Sequence, residues 1–221
     1  HHTQHIGRIE FLQMSTTDAI RRYSGNNIYV LSFSNRIHAA GGYVKGSSAQ
    51  EETLCRIIPH LYASIGLNKF SQYPIKEREV LFSPNMVVAR TEGPRYQELN
   101  KHQFINVNVI SAGAPNLNTT MKNYDNINPR SQEYENRYSC LIKNIMIAPL
   151  AYNCNSWESS RQKVLILGAF GCGAFRNDPQ QVSRFFNNII RTRTDLTRLY
   201  DVIVFAIPAG PNYDIFRRNI Q

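Results

Sequence analysis

The 221-residue chain carries 25 Lys and Arg against 16 Asp and Glu, a formal charge of +9. Hydrophobic residues make up 42% and charged residues 19%, which excludes wholesale disorder and supplies a sizeable core. The basic excess favours anionic partners, yet its clusters, such as Arg21–Arg22 and Arg217–Arg218, are too short to form a dense arm.

No apolar run approaches the roughly 20 residues needed to span a bilayer. Of the four cysteines Cys55, Cys140, Cys154 and Cys172, none are spaced as CxxC, which excludes a zinc ribbon or a thioredoxin motif. Low cysteine density without a signal peptide points to a reducing intracellular compartment, cytoplasmic or nuclear. Residues 1–5, opening on His1-His2, are set aside as a tag-like or disordered leader. Residues 6–221 are expected to form one domain, since no repeat, heptad or linker interrupts them.

In chain order, Arg8–Gln13 reads as a short strand. Ser15 or Thr16 caps a helix to about Tyr23. Ile28–Phe33 is a nearly continuous apolar run, suited to a central strand buried on both faces. A glycine-containing loop, Ser34–Ser47, leads into a helix from about Ala49 to Ile65, with Leu54, Ile57, Ile58, Leu61 and Ile65 at helical spacing and Gly66 as its stop. Glu79–Phe82 and Met86–Arg90 read as two short strands around Ser83-Pro84, and Phe104–Ile110 as an alternating strand. Asn116–Asn128 is polar and reads as an exposed insertion or loop. A helix over about Ser131–Ala148 follows, then a buried strand at Val164–Leu167. Pro179 opens a helix to about Ile190, capped by Asn177 or Asp178. Val202–Ile207 is the last strand and Tyr213–Asn219 a tail helix. Strands alternating with helices predict an α/β sandwich around a mostly parallel or mixed sheet.

Two loops carry chemistry. In the first, Ala40-Gly41-Gly42 is followed by Gln50-Glu51-Glu52 at the start of a helix. Glycines after a buried strand let backbone approach a ligand closely, and hydrolysis of a glycosidic bond needs a carboxyl group that moves protons. Adjacent helical residues diverge by about 100°, so the two glutamates cannot flank one bond symmetrically. The structural alternative is a capping box, with Ser48 at the N-cap and Glu51 at the third helical position; it leaves Glu52 unexplained. The second loop, Gly168–Phe175, joins a strand to a helix, and its N–H groups could cradle a diphosphate. It lacks the Lys and Ser/Thr of a P-loop, and a tight turn is the plain alternative.

Leu31–Arg56, LSFSNRIHAAGGYVKGSSAQEETLCR, resembles the signature of the microbial-type poly(ADP-ribose) glycohydrolases, which reads approximately LNFASARNPGGG, a spacer, AQEE and LCR. Leu165–Pro179, LILGAFGCGAFRNDP, resembles their second motif, LVLGAWGCGVFRNDP. LFSP at Leu81–Pro84, SAGAPN at Ser111–Asn116 and VFAI at Val204–Ile207 extend the resemblance through most of the chain.

The resemblance implies a macrodomain, a three-layer α/β/α sandwich with a central mixed sheet, that hydrolyses ribose–ribose bonds and releases ADP-ribose. By position, Glu52 is the catalytic carboxylate, Glu51 holds a hydroxyl of the leaving ribose, and Gln50 fixes the loop. Gly41 and Gly42 let the loop approach the ligand, and His38, where the family has Asn, lines the ribose site. Gly171, Cys172, Gly173 and Ala174 form the diphosphate loop, and Phe175 packs against the ribose. No metal or cofactor is expected. The expected partners are poly(ADP-ribose) or ADP-ribosylated macromolecules, with no membrane, no specific nucleic-acid motif and a monomeric chain.

Departures from the pattern are Ala39-Ala40 for Pro-Gly, Arg36-Ile37-His38 for Ala-Arg-Asn, and Ser32 for Asn. They leave open two alternatives: a macrodomain that binds ADP-ribose without turnover, and a hydrolase of other ADP-ribosyl conjugates. A nucleic-acid-binding protein, suggested by charge alone, ranks last.

Overall fold

The computed structural model describes residues 7–67, 71–152 and 160–221. The leader at residues 1–5 and Cys154 lie outside the described residues. The elements in order are β1 (Arg8–Leu12), α1 (Thr16–Arg22), β2 (Asn27–Phe33), α2 (Gln50–Ile57), β3 (Val80–Val88), β4 (Ile105–Ala112), α3 (Gln132–Ala151), β5 (Lys163–Leu167), α4 (Pro179–Thr192), α5 (Thr194–Thr197), β6 (Val202–Ala206) and α6 (Pro211–Asn219).

The strands form one six-stranded sheet in the order β1-β6-β5-β2-β4-β3, parallel throughout except for β3, which runs antiparallel to β4 at the edge. Successive side chains on a strand face opposite ways, and the core divides accordingly. Tyr29, Leu31, Leu165, Leu167, Ile203 and Phe205 face one layer, against α3, α4, α5 and α6. Ile28, Val30, Val164, Ile166, Val202 and Val204 face the other, against α1 and α2. Covering both faces is why these strands read as unbroken apolar runs. The result is the expected three-layer sandwich around a mixed sheet. No helix among the described residues is long and apolar enough to cross a membrane.

Several elements depart from their sequence reading for local reasons. The helix expected over 49–65 stops at Ile57, because Ile58 precedes Pro59 and is forced out of the helical region to φ −115°, ψ 89°. A separate π-helical turn then spans Ala63–Leu67, running past Gly66. The two strands expected around Ser83-Pro84 are one strand, β3, with a register break between Ser83 and Met86 and Asn85 in the left-handed region at φ 57°. A bulge on an edge strand tolerates the missing proline N–H. Strand β4 does not alternate: Val107–Ala112 is buried on both faces. The short α5 has too few residues to show a period and was not anticipated. The segment Asn116–Asn128 is a loop, exposed at Thr119, Thr120, Lys122, Tyr124, Asn126 and Asn128 as expected, but its Asn116 and Asn118 are buried.

Because β1, β2, β4, β5 and β6 are parallel, their carboxyl ends lie along one edge of the sheet. The loops that leave them, beginning at Gln13, Ser34, Gly113, Gly168 and Ile207, converge there. Ligands in open α/β sheets bind at this edge.

Candidate active site

The base of the site is the start of α2. Its N-cap is Ala49, whose side chain caps nothing, so the Ser48 capping box does not form. Gln50 ties the helix to the end of β2. Its Oε1 accepts from Phe33 N at 2.8 Å, and its Nε2 donates to Leu31 O at 2.7 Å and to Thr16 Oγ1 at 3.2 Å. This clamp draws the first turn of α2 inward, and both following glutamates are buried at 3% and 6% exposure.

Each glutamate is held at one oxygen. Glu51 Oε2 accepts from Asn35 N at 2.8 Å, and Glu52 Oε1 accepts from Gly42 N at 3.0 Å. The other oxygens, Glu51 Oε1 and Glu52 Oε2, are buried without a hydrogen-bond partner among the described residues. Buried polar atoms are ordinarily satisfied, so each carboxyl offers one atom to whatever enters the cleft. Burial pushes the Glu51 carboxyl up to about 8, against the lowering effect of the Asn35 N–H and with help from the Glu52 charge.

A carboxyl whose folded pKa lies above its unfolded one supports folding fully below the unfolded value, and that support is lost as pH rises. The window here runs from about 4.5 to about 8. The Glu51→Gln variant, neutral at every pH, is expected to match the native chain near pH 5. Near pH 9 it should exceed the native stability by roughly 4 kcal/mol in urea titrations.

The glycine loop is shaped by these carboxylates. Gly41 sits at φ 52°, and a Cβ there would lie 2.8 Å from Glu52 Oε1 and 3.1 Å from Glu51 Oε2. A Cβ on Gly42 would lie 2.2 Å from Ser47 Oγ. Ala40, which stands where the resembled family has glycine, is fully buried with φ 60°. A left-handed alanine costs roughly 1–2 kcal/mol, and glycine gives back part of the gain through unfolded-chain entropy. Ala40→Gly is therefore expected to stabilise the fold by about 0.5 kcal/mol, read as a higher denaturant midpoint.

The opposite wall is the 168–177 loop, pinned from beneath by buried side chains. Tyr138 Oη donates to Phe170 O at 2.8 Å, and Asn177 Nδ2 donates to Gly171 O and Pro115 O, each at 2.8 Å. Asn177 Oδ1 in turn accepts from Tyr134 Oη at 2.7 Å. Gly171 at φ 80° admits no side chain, since a Cβ would lie 2.4 Å from Tyr138 Oη. Further along, Asn118 Nδ2 donates to Ala174 O at 2.9 Å, and Leu117 N to Phe175 O at 2.9 Å. With the carbonyls taken from inside, the N–H groups of Gly173, Ala174 and Phe175 have no protein acceptor among the described residues. Such a row of unpaired N–H groups suits a phosphate.

Both walls rest on Asp125. It accepts from Arg36 Nη2 at 3.0 Å, from Arg137 Nη2 at 3.1 Å and from Asn116 N at 2.9 Å. Burial pushes its carboxyl up, but the Asn116 N–H and the two guanidinium groups outweigh this and hold it below the ordinary range.

The cleft between the walls is about 770 Å³, the size of a nucleotide-scale ligand site. The structure brings Gln50, Glu51, Glu52, Gly41, Gly42, His38, Gly171, Gly173, Ala174 and Phe175 to its lining. Cys172 belongs to the same loop, but its Sγ turns to Phe170 O at 3.8 Å, away from the lining. Burial pushes its thiol up to about 12, which disfavours the thiolate form. Among the described residues, no three His, Cys, Asp or Glu side chains group as a metal site.

Sequence reasoning missed the rest of the wall. Asn35, whose Oδ1 accepts from Ile37 N and His38 N and so turns the loop, lines the cleft. So do Thr16 and Thr17 from the start of α1, Lys122 and Asn123 from the polar loop, and Glu92 from the 89–100 connection. Of these residues, only Asn35 lay inside a recognisable motif. Thr16 and Thr17 come from the first turn of α1, and Lys122, Asn123 and Glu92 reach the cleft through loops whose sequences carry no period or fixed spacing.

Residues 1–91 match the family model of the microbial-type PARG catalytic domain. A search of curated proteins finds no match. Similar solved structures include the poly(ADP-ribose) glycohydrolase of Deinococcus radiodurans in complex with ADP-ribose, 24% identical, covering 98% of this chain and 85% of that one at a TM-score of 0.73. Another ADP-ribose complex of the Deinococcus protein is 25% identical over 96% of this chain and 84% of that one, at a TM-score of 0.70. The glycohydrolase of Thermomonospora curvata is 24% identical over 97% of this chain and 77% of that one, at a TM-score of 0.71. In fold over nearly its whole length, and in sequence over its first 91 residues, the chain is similar to the microbial-type poly(ADP-ribose) glycohydrolases.

Proposed function

We propose that the chain is a poly(ADP-ribose) glycohydrolase, a single macrodomain-type unit over residues 6–221 that hydrolyses ribose–ribose bonds and releases ADP-ribose. The observation that carries this reading is the pair of buried carboxyls at the cleft floor, each anchored at one oxygen by a backbone N–H and free at the other. Glu52, in the form that carries a proton, gives it to the leaving ribose oxygen as the glycosidic bond breaks, and the resulting carboxylate takes one from the attacking water, which restores the acid. Glu51 holds a hydroxyl of the leaving ribose, and Gln50 keeps both glutamates in place. Gly41 and Gly42 allow the loop to close on the ligand, and His38 lines the ribose site. The loop from Gly171 to Ala174 receives the diphosphate, and Phe175 packs on the ribose beside the scissile bond. The chemistry uses no metal or cofactor, and the chain acts as a monomer in a reducing intracellular compartment.

The test is release of ADP-ribose from poly(ADP-ribose) chains and from a mono-ADP-ribosylated protein. Chain degradation is the expected result. Activity on the mono-modified protein alone would redirect the substrate. ADP-ribose binding with no release from either would favour the second reading, a binding module, which the strained Ala40 in the glycine loop supports.

A further inference from the structure

The loop that closes the cleft has a second face. Gly171, Gly173, Ala174 and Phe175 line the cleft, but the next residue, Arg176, lines a separate groove of about 430 Å³. Arg130 and Arg184 line the same groove, and all three arginines are exposed. The groove is built rather than incidental. Gln181 Nε2 donates to Pro129 O at 2.6 Å, which ties α4 to the turn carrying Arg130, and Arg130 N donates to Asn128 Oδ1 at 2.9 Å. Arg176 is held in the left-handed region at φ 59°, which sends consecutive side chains of the loop into different hollows.

The charge in the groove is unbalanced. None of the three guanidinium groups has an ion-pair or hydrogen-bond partner among the described residues. The one acidic residue there, Asp178, caps α4 through Gln180 N at 2.9 Å. Like charges left together at a surface cost free energy unless an anion joins them. Arginine forks match phosphate oxygens, and the ligand proposed for the cleft is one unit of a polymer with a diphosphate in every unit.

We propose that Arg130, Arg176 and Arg184 form a subsite for the diphosphate of the poly(ADP-ribose) unit next to the one in the cleft. This rests on the function proposed above. The subsite favours polymer over free ADP-ribose, without touching the reacting bond.

The test compares Arg130→Gln/Arg184→Gln with unaltered arginines, both in a Glu52→Gln background that prevents turnover. Binding of poly(ADP-ribose) chains, of ADP-ribose and of a single-stranded DNA of equal phosphate count is measured across a salt series. The expected result is about tenfold weaker chain binding, with the salt slope reduced by about 1–2 and ADP-ribose affinity unchanged. Unchanged chain affinity in the double variant overturns the subsite, as does chain affinity no better than that of ADP-ribose before the change. DNA bound as tightly as the chains, and lost in the same variant, overturns it in favour of a general polyanion surface. No ADP-ribose binding even with the arginines intact means that the reading of the cleft has failed, and the subsite with it.

Discussion

Glu52→Gln is expected to lower the rate of chain hydrolysis by about 10³-fold or more while leaving ADP-ribose affinity within about threefold, because proton transfer is lost and shape is kept. The amide oxygen can still accept from Gly42 N, the contact that holds Glu52 Oε1 at 3.0 Å. What the amide cannot do is give a proton to a leaving oxygen and take one back. The loss should therefore fall on kcat, with KM little changed. Single-turnover release of ADP-ribose, beside binding of ADP-ribose by calorimetry, reads the two quantities separately. A variant retaining a tenth of the native rate would remove Glu52 from the proton transfer. A variant that loses binding and rate together would mean that the carboxylate holds the loop rather than the proton.

Features set by local physical rules could be read from the sequence. The apolar runs that became β2, β5 and β6 are buried on both faces, so burial wrote itself into composition. Ser15 and Asp178 cap the helices that follow them, because an N-cap needs only its own short side chain and the next turn.

The glutamates show where local rules stop. Ser48 and Glu51 have the spacing of a capping box, yet Gln50 pulls the helix onto β2 and Glu51 turns inward to Asn35 N. That choice depends on backbone groups 16 to 19 residues away. Pro59 is the reverse case. Helical spacing of Ile58, Leu61 and Ile65 suggested continuity, but the residue before a proline is barred from the helix, and that local veto prevailed. The polar run Asn116–Asn128 looked solvated because its partners lie elsewhere. Its buried groups are satisfied by Ala174 O, Arg36 and Arg137, none of which its own composition can announce.

Asp125 is the point at which that polar run becomes structural. Asp125→Ala is expected to destabilise the fold by about 3–5 kcal/mol, because it strands the buried partner of an ion pair. Arg137 is 2% exposed, and its Nε already lacks a hydrogen-bond partner. Without Asp125, the guanidinium keeps its desolvation cost and loses its counter-charge. Arg36 and the Asn116 N–H lose the same acceptor, so the first loop and the polar loop separate on the two sides of the cleft. A rise in KM should accompany the fall in stability, since that polar loop brings Lys122 and Asn123 to the lining.

Because the folded pKa of Asp125 is depressed, its contribution is present above the ordinary carboxyl value of 3.8 and is lost as pH falls through the folded value. The gap between native and variant chains should thus be full at neutral pH and shrink only in strong acid. Urea midpoints at several pH values measure this. The double variant Asp125→Ala/Arg137→Met separates charge from shape: it should recover a large part of the loss, since no buried charge then remains unpaired. A double variant no more stable than Asp125→Ala would assign the loss to Arg36 and Asn116 instead, and so to the loops rather than to the buried arginine.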